Sequence, residues 1–360
     1  MKSQNDVTLS VNGLKYGGFT SVRITAGIER QARDFQLDTT QRWPGQSQDF
    51  PIRQGDKVEV RIGNDLVLTG FVDATPVNYD ANSISRSIVG RSLTADLVDC
   101  SAEFNQWRDQ SLLEIIKALA SQVGVSVVSQ VDASRTVSDH SVDPTETLFE
   151  SIDRLLTISR LLSTDNGKGQ LLLIKPSSGG HAVDKLQLGE NILSCQTNLD
   201  FSKCFRKYKV IGQRSGSDDL SATDISEVTA EHEDARIKRN RLLIIQQSGQ
   251  LTPELAKDRA EWEATNRINR SLSVTYSVVG WRQSTGQLWL PNQLVRVKDE
   301  IVGIDRDLLI AEVTYELSSS GMVTHLHLAP PNGFEPKPEV GKSLGSSDSF
   351  EYLLPADWNK

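Results

Sequence analysis

Several features are scarce in this chain, and each shortage excludes a class of protein. The 360 residues include only 3 cysteines, Cys100, Cys195 and Cys204. Their odd number and wide spacing fit reduced, partly buried thiols better than a disulfide framework or a zinc site. The longest apolar runs, such as residues 171–174, have the length of a strand and fall far short of the roughly 20 residues that a membrane helix needs. We therefore expect no membrane-spanning segment.

The ends and the charge of the chain narrow the choice further. Residues 1–6 lack the apolar core and cleavage site of a secretory signal, which predicts a protein made and kept in the cytoplasm. Lys and Arg total 39 against 47 for Asp and Glu, so the formal net charge is -8. This balance is atypical of a protein that coats nucleic acid.

Motifs for nucleotide and nucleophile chemistry are also missing. The sequence contains neither G-x-G-x-x-G before a helix nor G-x-x-x-x-G-K-[ST], which disfavours nucleotide chemistry. Residues 212–216 resemble a nucleophile elbow, but the serine lies one place late and within a polar loop. These absences disfavour a nucleotide-dependent enzyme and a catalytic serine at position 215.

The histidines offer one candidate metal site. His325 and His327 lie two apart on a predicted strand, so they share one side of it and could bind a metal with a nearby carboxylate. The spacing suggests no third ligand, which favours an ordinary solvated strand face. His140, His181 and His232 stand alone among polar residues and are interpreted as surface histidines.

Two rival functions remain open at this stage. A peptidoglycan hydrolase needs two carboxyl groups at a set separation, and sequence spacing does not reveal whether any acidic pair has it. A carbohydrate-binding β module could use Trp281 and Trp289. A turnover assay on cell wall tests the first, and tryptophan-dependent glycan binding tests the second.

The most informative pattern occurs twice, once near each end of the chain. Residues 55–62 form a polar turn and a Val-x-Val strand, and residues 66–72 form a second β-rich strand. Residues 291–298 and 308–313 repeat this arrangement. Both copies alternate apolar and polar residues with the period of half-buried strands. Two similar β modules in one subunit suggest a ring, because three subunits would then present six modules to a six-fold partner.

Four regions follow from the pattern along the chain. Residues 1–102 have short alternating strands at regular spacing and predict an N-terminal β-barrel-like domain. Residues 103–180 predict an α/β domain, residues 181–330 a second β-barrel-like domain with one helix, and residues 331–360 an extended C-terminal tail. The predicted fold class is thus mixed β and α/β with several domains.

Capping signals place the helices of this plan. Ser111 and Glu114 form a capping box that begins a helix, and Gly124 supplies its left-handed end. A second helix follows Pro144. In the last β region, Thr252 and Pro253 begin a helix with alanines four residues apart at 256, 260 and 264.

Two segments are candidates for contacts with other proteins. Residues 231–241 change from acidic to basic, and they are either a solvated loop or an electrostatic clasp between subunits through Arg236, Lys238, Arg239 and Arg241. The C-terminal tail is rich in Pro, Gly and Ser, and its Tyr352, Leu354 and Trp358 are candidate contacts to a spike protein.

At this point a family resemblance emerges from residues 89–99, taken with residues 55–60, 68–72 and 239–244 and the final β block. In order and spacing, these segments resemble those of the Mu-like phage tail baseplate hub proteins. The similarity runs over nearly the whole chain, about residues 7–330.

The resemblance implies a homotrimeric ring related to the hubs of T-even phages and of type VI secretion spikes. In that family two β-barrel domains per subunit form a pseudo-six-fold ring that continues the tail tube, while α/β domains extend toward the spike. The expected function is a structural hub of a contractile phage or prophage tail that lets DNA pass, with no enzymatic activity and no cofactor. This chain itself is not expected to insert into a membrane. The expected partners are the tail tube protein, the spike and other baseplate proteins, to which any wall-degrading activity would belong. We expect assembly in the host bacterial cytoplasm and a final place in the virion baseplate.

Overall fold

The computed structural model describes residues 4–40, 51–81, 84–213, 227–247 and 251–338. The chain divides into two compact units. The first holds residues 1–204 and 262–337, and the second centres on residues 205–261.

The N-terminal part of the first unit is almost entirely β. Its elements are β1 (Val7–Val11), β2 (Leu14–Tyr16), β3 (Ser21–Gly27), β4 (Asp34–Thr40), β5 (Lys57–Ile62), β6 (Asp65–Ala74), β7 (Val77–Tyr79), β8 (Ile84–Ser92) and the short helix α1 (Ala95–Asp99).

An α/β region follows. Its elements are β9 (Gln106–Ser111), α2 (Leu112–Ser121), β10 (Val127–Ser129), β11 (Thr136–Ser141), α3 (Leu148–Ser159), β12 (Leu162–Asp165) and β13 (Leu171–Ile174). The capping prediction is confirmed in part, because the Ser111 side chain accepts a hydrogen bond from the Glu114 amide and Gly124 has a φ of 72°. The capping box is incomplete, since the Glu114 carboxylate accepts from the Ser111 hydroxyl instead of the Ser111 backbone N–H. The helix after Pro144 is confirmed as α3, which carries a complete capping box of Thr147 and Glu150.

The rest of the chain returns to strands around one long helix. The elements are β14 (Leu186–Gln187), β15 (Ile192–Leu199), β16 (Lys207–Gln213), β17 (Glu227–Glu233), β18 (Leu242–Gln247), α4 (Pro253–Arg270), β19 (Leu272–Val279), β20 (Leu294–Asp299), β21 (Ile304–Ser318) and β22 (Gly321–Ala329). In the second unit β16 lies between β17 and β18. The predicted start of α4 is confirmed, since the Thr252 hydroxyl accepts from the Leu255 amide at 3.2 Å and Ala256, Ala260 and Ala264 are fully buried.

The first unit contains the same five-stranded arrangement twice. Module 1 is β3, β4, β5, β6 and β8, and module 2 is β15, β19, β20, β21 and β22. If the strands of each module are lettered a to e in chain order, both modules have the sheet order a-b-e-d-c, with every neighbouring pair antiparallel. The repeat found in the sequence is therefore strands c and d of each module, β5–β6 and β20–β21.

The d strands share an irregularity that fixes the alignment of the modules. A β-bulge interrupts β6 between Val72 and Ala74, and another interrupts β21 between Ile310 and Glu312. Each bulge faces strand e of its own module. A bulge adds one residue to one strand only. Its recurrence at the same place aligns β6 and β8 of module 1 with β21 and β22 of module 2 residue by residue. Two other register shifts, at Val60–Arg61 and at Ile192–Ser194, occur in one module only.

The expected pair of barrels is replaced by one continuous sheet. Strand β21 of module 2 pairs with β3 of module 1, so both modules belong to a single 14-stranded sheet, and no closed barrel occurs among the described strands. The buried side chains of both modules form one hydrophobic cluster that includes Leu9, Phe35, Val60, Tyr276 and Trp281. Local alternation predicted the strands, but whether a sheet closes depends on its edges, which local alternation does not encode.

A buried ion pair joins the α/β region to module 1. The Arg33 guanidinium contacts the Asp165 carboxylate at 2.9 Å and donates to the Val67 carbonyl at 3.0 Å. The Asp165 side chain is 1% exposed. Burial raises the pKa of Asp165, and the positive charge of Arg33 opposes that rise. The pair therefore fixes β12 against the loop between β3 and β4.

The residues after β22 are packed rather than extended. Pro331–Phe334 forms a 3₁₀ turn in which Phe334 is buried. The Trp262 indole donates to the Glu335 carbonyl at 2.9 Å, and both Asn266 and Arg270 donate to the Gly333 carbonyl at the same distance. The start of the segment predicted as an extended tail thus belongs to the folded first unit.

Candidate interaction surfaces

Strand β15 is an exposed sheet edge. It pairs with β19 and with no other described strand. Every residue from 193 to 200 is exposed, including Leu193 at 55% and Leu199 at 53%. Unpaired N–H and C=O groups along a strand are a template for pairing with another chain.

Strand β7 follows β6 along the same side of β8 and forms a second free edge. It pairs with β8 and with no other described strand. Val77 is 41% exposed, Tyr79 is 80% exposed, and Ile84, which lies opposite Tyr79 on β8, is 43% exposed. Apolar side chains thus project along an unpaired strand, a combination that marks an interaction surface.

The acidic-to-basic segment is only partly a loop. Its acidic residues end strand β17. The segment then turns at buried Asp234, whose carboxylate contacts the Arg236 guanidinium at 2.7 Å. This contact and the hydrogen bonds from Arg236 lower the pKa of Asp234, although burial opposes the shift.

The other three basic residues of that segment differ in their surroundings. Arg241 lies over the Phe205 ring at 4.5 Å. Lys238 and Arg239 are exposed on the surface of the second unit. A clasp between subunits therefore has two exposed cations here, while Arg236 and Arg241 already contact groups of their own subunit.

The predicted spike contacts cannot be placed. Tyr352, Leu354 and Trp358 lie outside the described residues. They remain a sequence-based prediction.

His325 and His327 lie on one side of β22, as predicted. The Nδ1 atom of His325 is 2.9 Å from the Ser277 hydroxyl, and that of His327 is 3.3 Å from the Thr275 hydroxyl. Glu316 is 3.4 Å from His325. No group of three or more metal-binding side chains occurs within the described part of the chain.

The interpretation of His140 as a surface histidine is wrong. His140 is 7% exposed, its Nε2 atom is 2.8 Å from the Ser151 hydroxyl, and its ring stacks on Trp107. Burial, reinforced by the positive charge of Arg154, lowers the pKa of His140 to about 4. Its polar neighbours in sequence suggested exposure, whereas β11 directs its side chain toward α3. His181 is exposed, as predicted.

The tryptophans proposed for glycan binding are buried. Trp281 is 0% exposed and Trp289 is 2% exposed. The Trp281 indole donates to the carbonyls of Glu316 and Val323. Neither ring can stack on a sugar in this conformation, which removes the basis for a carbohydrate-binding module.

One pocket on the described surface is too small for a typical ligand. A pocket lined by Gln187, Leu188, Lys298 and Glu300 has a volume of about 140 Å³, below the roughly 300 Å³ at which ligand sites begin. Within the described residues, no helix is both long enough and apolar enough to cross a membrane.

Sequence analysis missed the two free edges. It predicted no strand at residues 77–79 or 192–199. Pro76 and the short length of β7 concealed the first, and the exposure of both faces of β15 removed the alternation that signals a strand. The useful signal was the repeat, since a duplicated module predicts duplicated edges.

Three family models match parts of the chain. The N-terminal domain of Mu phage baseplate assembly protein GpP-like proteins matches residues 6–92. The second domain of baseplate hub protein gp44-like proteins matches residues 94–175, and the fourth domain of Mu phage baseplate assembly protein GpP matches residues 252–337.

Individual relatives agree with these models. The baseplate hub protein gp44 of Escherichia phage Mu is 32% identical over 341 residues, which cover 92% of this chain and 89% of that protein. The crystal structure of the 43 kDa tail protein of prophage MuSo2 from Shewanella oneidensis matches with a TM-score of 0.82 and 31% identity, covering 92% of this chain and 99% of that one.

A more distant structure shares the fold. The tail protein from Neisseria meningitidis MC58 has a TM-score of 0.79 at 20% identity and covers 92% of this chain and 98% of its own. The resemblance noted in the sequence is confirmed by the models and by the two relatives above 30% identity. The chain belongs to the family of Mu-like phage tail baseplate hub proteins.

Proposed function

We propose that this hub protein forms a homotrimeric ring that joins the tail tube to the central spike of a contractile tail and leaves an axial passage for phage DNA. The supporting observation is the duplicated module. Two equivalent modules in each of three subunits give six similar units, so that a trimer meets a six-fold partner with pseudo-six-fold symmetry.

The role is structural. Two buried ionisable side chains contact other parts of the fold: His140 lies between Trp107 and Ser151, and the Asp165 carboxylate binds Arg33. The characterised relatives are a baseplate hub protein and tail proteins. Cell-wall degradation during infection is then the task of a partner protein, and this chain needs no cofactor.

The regional plan of the chain serves this ring. Residues 1–102 and 181–330 supply the two β modules of the ring wall, and residues 103–180 supply an α/β domain directed toward the spike. Residues 331–360 supply the C-terminal segment, with Tyr352, Leu354 and Trp358 as anchors on the spike. Assembly takes place in the host cytoplasm before the hub enters the baseplate.

The second unit supplies a further contact between subunits. Exposed Lys238 and Arg239 lie close in sequence to the exposed acidic residues Glu231 and Glu233 of β17. The two carboxylates also contact Lys209 at 3.7 Å and Arg206 at 2.8 Å within their own subunit. A segment that carries both charges complements the same segment of a neighbouring subunit. Arg236 and Arg241 shape this segment through Asp234 and Phe205.

The mass in solution tests the proposal. Light scattering coupled to gel filtration is expected to give three times 39.8 kDa, about 119 kDa. The value should persist on dilution, because the ring is the assembled unit. A species of one chain mass at every concentration would contradict the ring.

A further inference from the structure

We propose that the free edge of β15 in one subunit pairs, antiparallel, with residues 74–79 of the next subunit, and that this strand pairing closes the ring. The inference rests on the proposed ring and names the contact that would hold it. A second copy of this chain is the partner of both free edges.

A contact of the same kind already occurs within each chain, where module 1 meets module 2. Strand β3, the a strand of module 1, pairs antiparallel with the second half of β21, the d strand of module 2. Val22 lies opposite Leu317, and Ile24 lies opposite Tyr315. Val22 and Ile24 are at most 1% exposed. The two modules of a chain are thus joined by an a edge against a d edge.

The equivalent edges of the opposite modules are the two free ones. Strand β15 is the a strand of module 2. Residues 74–79, which end β6 and include β7, continue the d strand of module 1. Within the chain, the a edge of module 1 (β3) pairs with the d edge of module 2 (β21). The a edge of module 2 (β15) and the d edge of module 1 (residues 74–79) have no such partner among the described strands. A copy of the chain placed head to tail brings these ends together.

The bulge that β6 and β21 share aligns the d strand of module 1 with the d strand of module 2. Counting from it, Val77 of β7 is equivalent to Tyr315 of β21, and Tyr79 is equivalent to Leu317. Cross-strand partners agree with this alignment, because Tyr79 lies opposite Ile84 and Leu317 lies opposite Met322.

The a strands of the two modules, β3 and β15, are aligned through the b and e strands with which each module pairs them. Val22 lies opposite Leu37 on β4, and Cys195 lies opposite Tyr276 on β19. Leu37 and Tyr276 are themselves equivalent, since they face Ile88 of β8 and Leu326 of β22, respectively. Cys195 is therefore the counterpart of Val22.

The alignment of the d strands and the alignment of the a strands together predict which residues pair between subunits. Cys195 of one subunit lies opposite Tyr79 of the next, and Thr197 lies opposite Val77. Cys195 is an exposed free thiol in the single chain. Side chains opposite each other in antiparallel strands have Cα atoms roughly 4.5–5.5 Å apart.

Pro76 does not obstruct this pairing. Its carbonyl accepts a hydrogen bond from the Ser87 amide at 3.0 Å, so its backbone polar atoms face β8. In an antiparallel ladder the N–H and C=O of one residue point to the same side. The N–H that proline lacks is therefore on the β8 side, and the backbone groups of Thr75, Val77 and Tyr79 face the free edge.

The pairing is heterologous, which makes it suitable for a ring. One subunit contributes its module 2 edge and the next contributes its module 1 edge. Such head-to-tail contacts form a closed ring if the rotation between subunits closes. Because the new contact copies the contact within the chain, every junction between modules in the ring is of one kind.

Cross-linking through Cys195 tests the register directly. The full chain with Tyr79→Cys, treated with diamide, is expected to give covalent dimers and trimers on a non-reducing gel, since opposite positions fall within the Cα separation of roughly 4.4–6.8 Å that a disulfide needs. Adding Cys195→Ser should abolish these bands. Leu14→Cys, an exposed position on β2 at the other end of the sheet path, should give none.

A pair of lysine variants tests the same contact without a disulfide. Val77→Lys should raise the protein concentration at which the trimer dissociates on dilution at least tenfold, because it places a charge in the paired edge. Ile301→Lys changes a residue that is 82% exposed between β20 and β21, and it should leave the trimer intact.

The outcomes separate this inference from the proposed function. A trimer in which Tyr79→Cys gives no Cys195-dependent cross-link, and which Val77→Lys does not weaken relative to Ile301→Lys, overturns the edge pairing and leaves the ring in place. A wild-type chain that stays monomeric overturns both.

Discussion

At the residue scale, two arginines close together in sequence show how burial changes the contribution of an ion pair to stability. Arg30 binds Asp34 and Glu312 on the surface, where its side chain is 42% exposed. Arg33 reaches a carboxylate that is almost completely buried. Exposed ion pairs stabilise proteins by about 0–1 kcal/mol, whereas breaking a buried pair costs about 3–5 kcal/mol.

Replacing each arginine by methionine should reveal this difference. Arg33→Met is expected to destabilise the first unit by about 3 kcal/mol, because it leaves the Asp165 charge buried without its partner. Arg30→Met, the matched control, should cost less than about 1 kcal/mol. Hydrogen exchange of β12 and β13 measures both effects. Equal losses in the two variants would show that Asp165 does not depend on Arg33.

At the element scale, His140 links β11 to α3 and makes that link sensitive to acid. Its folded pKa of about 4 lies below the ordinary value of 6.5. A depressed pKa means that the folded state holds the neutral ring, so the stability it contributes is complete above pH 6.5 and is lost as the pH falls toward 4.

We therefore expect α3 to lose about 2 kcal/mol of protection between pH 7.5 and pH 5 through this one group. Hydrogen exchange of Leu148–Ser159, corrected for intrinsic rates, measures the loss. His140→Gln should remove most of the pH dependence, and His181→Gln, at an exposed position, should leave it unchanged. A wild-type α3 equally protected at both pH values would contradict the buried, neutral ring.

At the scale of the whole molecule, the proposed DNA passage constrains where charges lie. Three chains of net charge -8 carry -24 in total. Fixed positive charge along a passage would bind phosphates and slow DNA, since each neutralised phosphate adds affinity through counterion release. The inner wall should therefore carry more Asp, Glu, Ser, Thr and Gln than Lys or Arg, with basic residues such as Lys238 and Arg239 at subunit contacts or outside.

Binding of duplex DNA to the purified trimer at low salt checks this expectation. The trimer is expected to bind duplex DNA weakly or not at all. Tight binding that falls steeply with salt would indicate a basic passage, and a trimer structure with Lys and Arg around the axis would contradict the charge argument directly.

The sequence by itself determined the local elements and the repeat. Ser111, Thr252 and Pro253 act through hydrogen bonds and backbone preferences that involve a few neighbouring residues, so the starts of α2 and α4 could be predicted from them. Alternation in β5 and β20 reflects the burial of one strand face, which is also a local property. The family resemblance rested on the same segments.

Only the tertiary structure decided which edges meet and which side chains are buried. The joining of both modules into one sheet depends on β21 finding β3, a contact between residues almost 300 positions apart in the chain. The burial of His140 depends on the packing of β11 against α3 and Trp107, and that of Trp281 on its contacts with β21 and β22, none of which follows from local alternation. The candidate site, two free edges left over when the modules join, exists only after that joining, because an edge is defined by the partner it lacks.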